Sequence, residues 1–225
     1  MTAPSTLPAP YTTELDRLER AALDGVGLPE GVKRLAIALA FANKGRDGLA
    51  RRHGEAALAA GLTRPEVVEA LLAAVLSRGT WVLEEMRWLV DAAPEGEWQV
   101  AGERAAAASE IREYFDATFG SVPGWLHMLI DTAPQALESY YALRAEILRD
   151  GALPRRHKEL LLVVVNAAER YDTGLTTHLR GALDGGAKPE ELYEAVRAAI
   201  VPGGMVAWIA GADAAGRVLK ERRDV

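Results

Sequence analysis

The 225-residue chain has no cysteine. That excludes disulfides, thiolate nucleophiles, cysteine-ligated zinc and iron–sulfur clusters. It also lacks any block of basic residues standing apart from acidic ones, and its formal net charge is −6. Nucleic acid and anionic membrane are therefore not expected partners. No apolar run reaches the roughly 20 residues a membrane helix needs. The first sixteen residues, MTAPSTLPAPYTTELD, have neither a basic start nor an apolar core. No signal peptide is expected from them, and a cytoplasmic location is the default. No two histidines stand at H-x-x-x-H spacing. A metal site needs three convergent ligands, so no metal is expected.

What is present is alanine, leucine and charge: 49% hydrophobic, 26% charged and 6% aromatic, the composition of an ordinary globular chain. Runs of β-branched residues are few outside 160–165, which favours an all-α fold. The most informative stretch is 154–186, LPRRHKELLLVVVNAAERYDTGLTTHLRGALDGG. Leu160 to Val165 reads as the middle of a helix buried on most sides. A second helix is expected from about Asp172, a good N-cap, to a stop at Gly185 and Gly186. Two helices joined by a short turn pack antiparallel. The pair can set Glu159 on the first against His178 on the second. A carboxylate beside an imidazole at an apolar wall is the minimum equipment for proton transfer.

The sequence also repeats. A shift of 125 residues superposes Leu28-Pro29 on Leu153-Pro154, Lys33 on Lys158, Asp47 on Asp172, His53 on His178 and Gly61 on Gly186. It continues through Glu66 on Glu191, Glu69-Ala70 on Glu194-Ala195 and Gly79 on Gly204, without a gap over 52 positions. This reads as a tandem duplication of one helical unit, with residues 1–95 as the first unit and 96–225 as the second. Within each copy a helix carrying the histidine ends at a glycine, and the next begins with Thr63 and Glu66 or with Pro189. A first helix is expected from Glu14 to about Asp24, capped by Thr12 or Thr13. Residues 92–105 are expected to be the linker. A helix is expected from Ala105 to Phe119 with Gly120 as its stop, then two over 123–147 broken at Pro134. The last is expected from Met205 to about Arg222. The first ten residues are expected to be ordered only if something else holds them.

The string Glu159…His178-Leu179-Arg180-Gly181-Ala182-Leu183…Gly186…Glu190-Glu191…Glu194 resembles the signature of the carboxymuconolactone decarboxylase family, which includes the alkylhydroperoxidase D proteins. The resemblance covers residues 154–210 well and 29–85 more weakly. It implies an all-α, alkylhydroperoxidase D-like unit whose subunits associate extensively. Single-unit members form hexamers built as trimers of dimers, so a two-unit chain is expected to be a trimer with pseudo-hexameric symmetry.

The departures decide which chemistry is expected. The peroxidase branch places a Cys-x-x-Cys pair seven and four residues before the histidine, where this chain has Tyr171 and Gly174. Without sulfur, peroxide reduction through a dithiol is ruled out. In the first unit Arg34 stands in the place of Glu159, and Arg46 and Leu49 take the cysteine positions. The first unit is thus expected to be degenerate. What remains resembles the decarboxylase branch: a lyase or isomerase acting without cofactor on a small organic acid or lactone. His178 is the candidate acid–base, and Glu159 would orient it or serve as base if burial raises its pKa. Arg180, Arg170, and Arg155 or Arg156 are available to hold a carboxylate. Tyr171 could donate a hydrogen bond at the pocket mouth, and His53 could complete the site. The bland readings stand beside these: Glu159 as a charge near a helix N-terminus, the arginines as solvated, the tyrosines and tryptophans as core. His127 and His157 are given no role. A non-catalytic oligomeric or ligand-binding protein on the same scaffold is the competing expectation.

Overall fold

A computed structural model describes residues 8–99, 111–113, 115–116 and 122–223. Every regular element among them is a helix, and none is long and apolar enough to cross a membrane. The first helix, α1, spans Ala9–Leu23 and begins earlier than expected. Pro10 lies in its first turn, where a missing N–H costs nothing, and Thr12 turns its hydroxyl back to the Ala9 carbonyl instead of capping. Next come α2 (Glu30–Asn43), α3 (Asp47–Ala59) and α4 (Arg64–Arg78). Short helices α5 (Trp81–Glu85) and α6 (Arg87–Ala92) complete the first half. Of the expected linker, 93–99 is non-helical and 100–105 lies outside the described residues. Most of the expected 105–119 helix and its stop at Gly120 lie outside them too, although 111–113 and 115–116 are helical.

The second half contains α7 (Gly124–Thr132) and α8 (Pro134–Ile147), broken at Ala133 as Pro134 requires. Then follow α9 (Arg155–Glu169), α10 (Asp172–Asp184), α11 (Pro189–Ala198), α12 (Ile200–Gly203) and α13 (Met205–Arg223). The N-cap of α10 is Tyr171, with Asp172 one position inside the helix.

The helix bounds recur at the same offset as the sequence matches. Adding 125 carries the start of α1 to that of α8, α2 to α9, α3 to α10 and α4 to α11. Positive-φ positions recur as well: Gly61 with Gly186, Gly79 with Gly204, and Gly45 with Arg170. At that last turn the chain must enter the left-handed region, which glycine does freely and arginine at some cost. The start of α4 has the expected capping box, with the Thr63 N–H donating to Glu66 at 2.8 Å. Where α4 is continuous, its counterpart breaks into α11 and α12. Pro202 is the reason, since its ring displaces the carbonyl four residues before it.

Helix α9 is the centre of the core. His157 to Ala168 are all buried, and the helix packs on α10, α2, α11, α4 and α13. One hydrophobic cluster runs from Leu23 to Val218 and takes in both halves. The leading helices cross over: α1 packs on α11 of the second half, and α8 on α4 of the first. A smaller cluster of Ile111, Phe115, Leu126 and Leu137 lies beside it.

Candidate functional site

The antiparallel pair α9 and α10 sets Glu159 against His178. Nδ1 of the imidazole lies 2.7 Å from Glu159 Oε2, with the carboxylate fully buried and the histidine 6% exposed. Gly181, one turn beyond His178, leaves the space for this carboxylate, since a Cβ there would overlap it. Arg144 of α8 and Arg155 of α9 approach Glu159 Oε1 at 3.7 and 3.8 Å. Burial would raise the Glu159 pKa. The His178 hydrogen bond and the charges of His178, Arg144 and Arg155 outweigh it, and the net shift is downward. Glu159 is therefore held as a carboxylate, and the rise in pKa on which a role as the base itself was expected is outweighed. An anion at Oε2 accepts, so Nδ1 donates to it, and Nε2 is the nitrogen left to exchange a proton with the pocket. That nitrogen faces Ser77 Oγ of α4, 3.4 Å away.

His178 forms part of the wall of a pocket of about 540 Å³, within the usual range for small ligands. Its other walls are Leu76 and Ser77 from the first half, then Phe115, Pro123, Trp125, Tyr140, Tyr141 and Arg144, and Tyr171, Thr173, Gly174 and Thr177. Tyr140 donates its hydroxyl to the Leu76 carbonyl at 3.2 Å, and burial foremost raises its pKa. Tyr171 lies over Gly174, where a Cβ would strike its ring.

Of the residues singled out from sequence, His178 and Tyr171 line this pocket, with Glu159 buried behind His178. Arg180 does not; it pairs with Glu221 at 2.7 Å on the far side of α10. Arg170 is an exposed left-handed cap at the end of α9, outside the pocket lining. His53 lies fully buried in its own unit, stacked on Phe41 with Nδ1 unpartnered and Nε2 3.2 Å from Arg52. Burial first, then the Arg52 charge, pulls its pKa down to about 4. Arg34, in the seat of Glu159, pairs at 2.6 Å with Glu19, which also binds Arg52 at 2.6 Å. Sequence reasoning missed Arg144 and Ser77, and read Tyr140 as core or subunit interface and only secondarily as pocket lining. The signal for Arg144 was available: the 125-residue offset carries Glu19 to Arg144 just as it carries Arg34 to Glu159. The ion pair is the same in both units with its signs exchanged. Among the described residues no group of three or more carboxylates and histidines gathers as a metal site.

Residues 134–216 match the family described as the carboxymuconolactone decarboxylase family. A search of curated proteins finds no significant match. Among solved structures, one from Burkholderia xenovorans LB400, assigned as a gamma-carboxymuconolactone decarboxylase subunit, superposes with a TM-score of 0.59 at 20% identity. The match covers 94% of this chain and 87% of that one, so the fold is common to both over nearly their whole length. The family match thus takes in α8 to α13, the fold of the whole chain is that of the Burkholderia protein, and the chain has no cysteine pair.

Proposed function

We propose that the protein is a cofactor-independent lyase or isomerase acting on a small organic acid or lactone, with His178 moving the proton. The observation that carries this reading is the 2.7 Å contact between a buried carboxylate and an imidazole whose other nitrogen opens into the pocket. Glu159 fixes the tautomer and stabilises the imidazolium; it does not itself meet the substrate. Arg144, the guanidinium in the pocket wall, holds a substrate carboxylate and draws charge toward itself. In a decarboxylation the bond to the departing carboxylate breaks and its electron pair passes into the conjugated lactone. His178, entering the step as the imidazolium, then gives its proton to the carbon where the electron pair settles, and solvent reprotonates the ring. The substrate would be a carboxylated lactone of the kind the family name describes. The exposed Met205, Val206 and Ile209 at the start of α13 support association of subunits, for which a trimer with pseudo-hexameric symmetry is our proposal.

Carbon dioxide release from 4-carboxymuconolactone tests this directly. His178→Gln and Glu159→Gln are each expected to lower kcat by about 10²-fold or more, the usual share of a general acid–base, while melting temperatures hold. Wild-type protein that releases no carbon dioxide would remove this substrate from consideration. A non-catalytic binding role on the same scaffold would then gain ground, the first unit having already lost its carboxylate–imidazole pair.

A further inference from the structure

The carboxylate–imidazole pair has a third member. Ser77, in the last turn of α4, comes from the other half of the chain and sets its hydroxyl 3.4 Å from His178 Nε2. Hydroxyl, imidazole and carboxylate stand in a row, with the serine in the pocket wall and Glu159 at the buried end. We propose that Ser77, His178 and Glu159 form a nucleophilic triad, and that the pocket cleaves esters or lactones of small carboxylic acids through an acyl-serine.

A serine hydroxyl is a weak nucleophile unless a neighbouring base takes its proton during attack, and that base needs a third group to orient it. Each part has a candidate here. Nε2 is the base, because Nδ1 is committed to Glu159. Glu159 is held ionised beside two guanidinium groups and offsets the charge of the imidazolium. A gap of 3.4 Å exceeds the ideal, as such contacts commonly do before a substrate tightens them. Oγ attacks the acyl carbon and its proton passes to Nε2; collapse of the tetrahedral adduct breaks the acyl–oxygen bond, and the alkoxide leaves with that proton. Water, deprotonated by Nε2, then releases the acid and restores Ser77, so an ester and water become an acid and an alcohol. The negative oxygen of the adduct would lie against Arg144. The position that the 125-residue offset pairs with Ser77 is Pro202, so the repeat does not carry the serine hydroxyl into its other copy. The reaction shares two residues with the proposed decarboxylation but needs a nucleophile that decarboxylation does not.

The test uses the full chain with p-nitrophenyl butyrate and, separately, a fluorophosphonate. The expected result is a p-nitrophenol burst of about one equivalent per chain and a phosphonyl adduct that peptide mass spectrometry places on Ser77. Ser77→Ala should abolish both and slow hydrolysis about 10³-fold or more, with its circular dichroism and melting temperature unchanged. Ser77→Cys supplies an independent reading, because the chain has no other cysteine. That thiol should alkylate with iodoacetamide far faster than in the unfolded chain, and His178→Gln should erase the difference. An adduct on a tyrosine, hydrolysis that persists in Ser77→Ala, or a thiol no more reactive folded than unfolded would each overturn the proposal. None of these outcomes bears on carbon dioxide release.

Discussion

His53 and His178 hold the same place in their units and meet opposite surroundings. His178 has a carboxylate at 2.7 Å, whereas His53 has Arg52 at 3.2 Å and an unpartnered Nδ1. With its pKa pulled down to about 4 by burial and then by Arg52, His53 stays neutral in the folded protein. An unfolded histidine titrates near 6.5, so between these values the unfolded chain binds a proton that the folded chain refuses. The sign follows. Stability is fully present above about pH 6.5 and is lost as pH falls toward 4, by roughly 3 kcal/mol in total. Urea midpoints at pH 7 and pH 5 should differ for the wild type and differ much less for His53→Gln. An equal drop in both would place the acid sensitivity elsewhere.

At the scale of elements, an ion pair couples each leading helix to the first long helix of its unit. In the first unit it is Glu19 of α1 with Arg34 of α2 at 2.6 Å; in the second it is Arg144 of α8 with Glu159 of α9 at 3.7 Å. The exchange of signs decides which histidine has an acid beside it. Arg34→Glu sets two carboxylates against each other in a mostly buried space and should cost about 3 kcal/mol. Adding Glu19→Arg should recover part of it, the remainder reflecting the lost contact of Glu19 with Arg52, a coupling that a double-mutant cycle on urea-unfolding free energies would measure. Independent, additive losses would show that the two positions do not act as a pair. This exchange was legible in the sequence through the offset but not in the residues taken singly, because Arg144 lies ahead of the string that runs from Glu159 to Glu194.

At the scale of the molecule, the two halves clasp each other through buried lysine–glutamate pairs. Glu194 of α11 accepts from the Gly27 and Leu28 N–H groups at 3.1 and 3.0 Å and pairs with fully buried Lys33 at 3.0 Å. Lys33 also donates to the carbonyls of Leu23 and Gly25. Its counterpart across the offset is the same: Glu69 of α4 accepts from Ala152 and Leu153, both at 2.9 Å, and pairs with Lys158 at 2.9 Å. Each glutamate thus closes a loop of the other half. Glu194→Ala or Glu69→Ala leaves a buried ammonium without its counter-ion and should cost roughly 3 kcal/mol. Because the clasp is reciprocal over one continuous core, the loss should appear as a single earlier transition, with tryptophan fluorescence and far-ultraviolet circular dichroism coinciding. Two separate transitions would mean the halves unfold independently.

Sequence alone determined the helical class, the burial of α9, the capping at Thr63 and the pairing of Glu159 with His178. These rest on interactions between residues near in the chain: apolar periodicity, caps, glycine stops and a short turn that brings two helices antiparallel. It also marked Lys33, Lys158, Glu69 and Glu194 as repeated, without saying what repeated them. Tertiary structure decided the rest. It turned Arg180 toward Glu221, made Arg170 a cap, sealed His53 beneath Arg52, and brought Ser77 and Arg144 to the pocket. Ser77 lies 101 residues from His178, and no local pattern links them. The direction of an arginine or the neighbour of a serine is set by which helices cross, and that depends on packing across the whole core rather than on spacing along the chain.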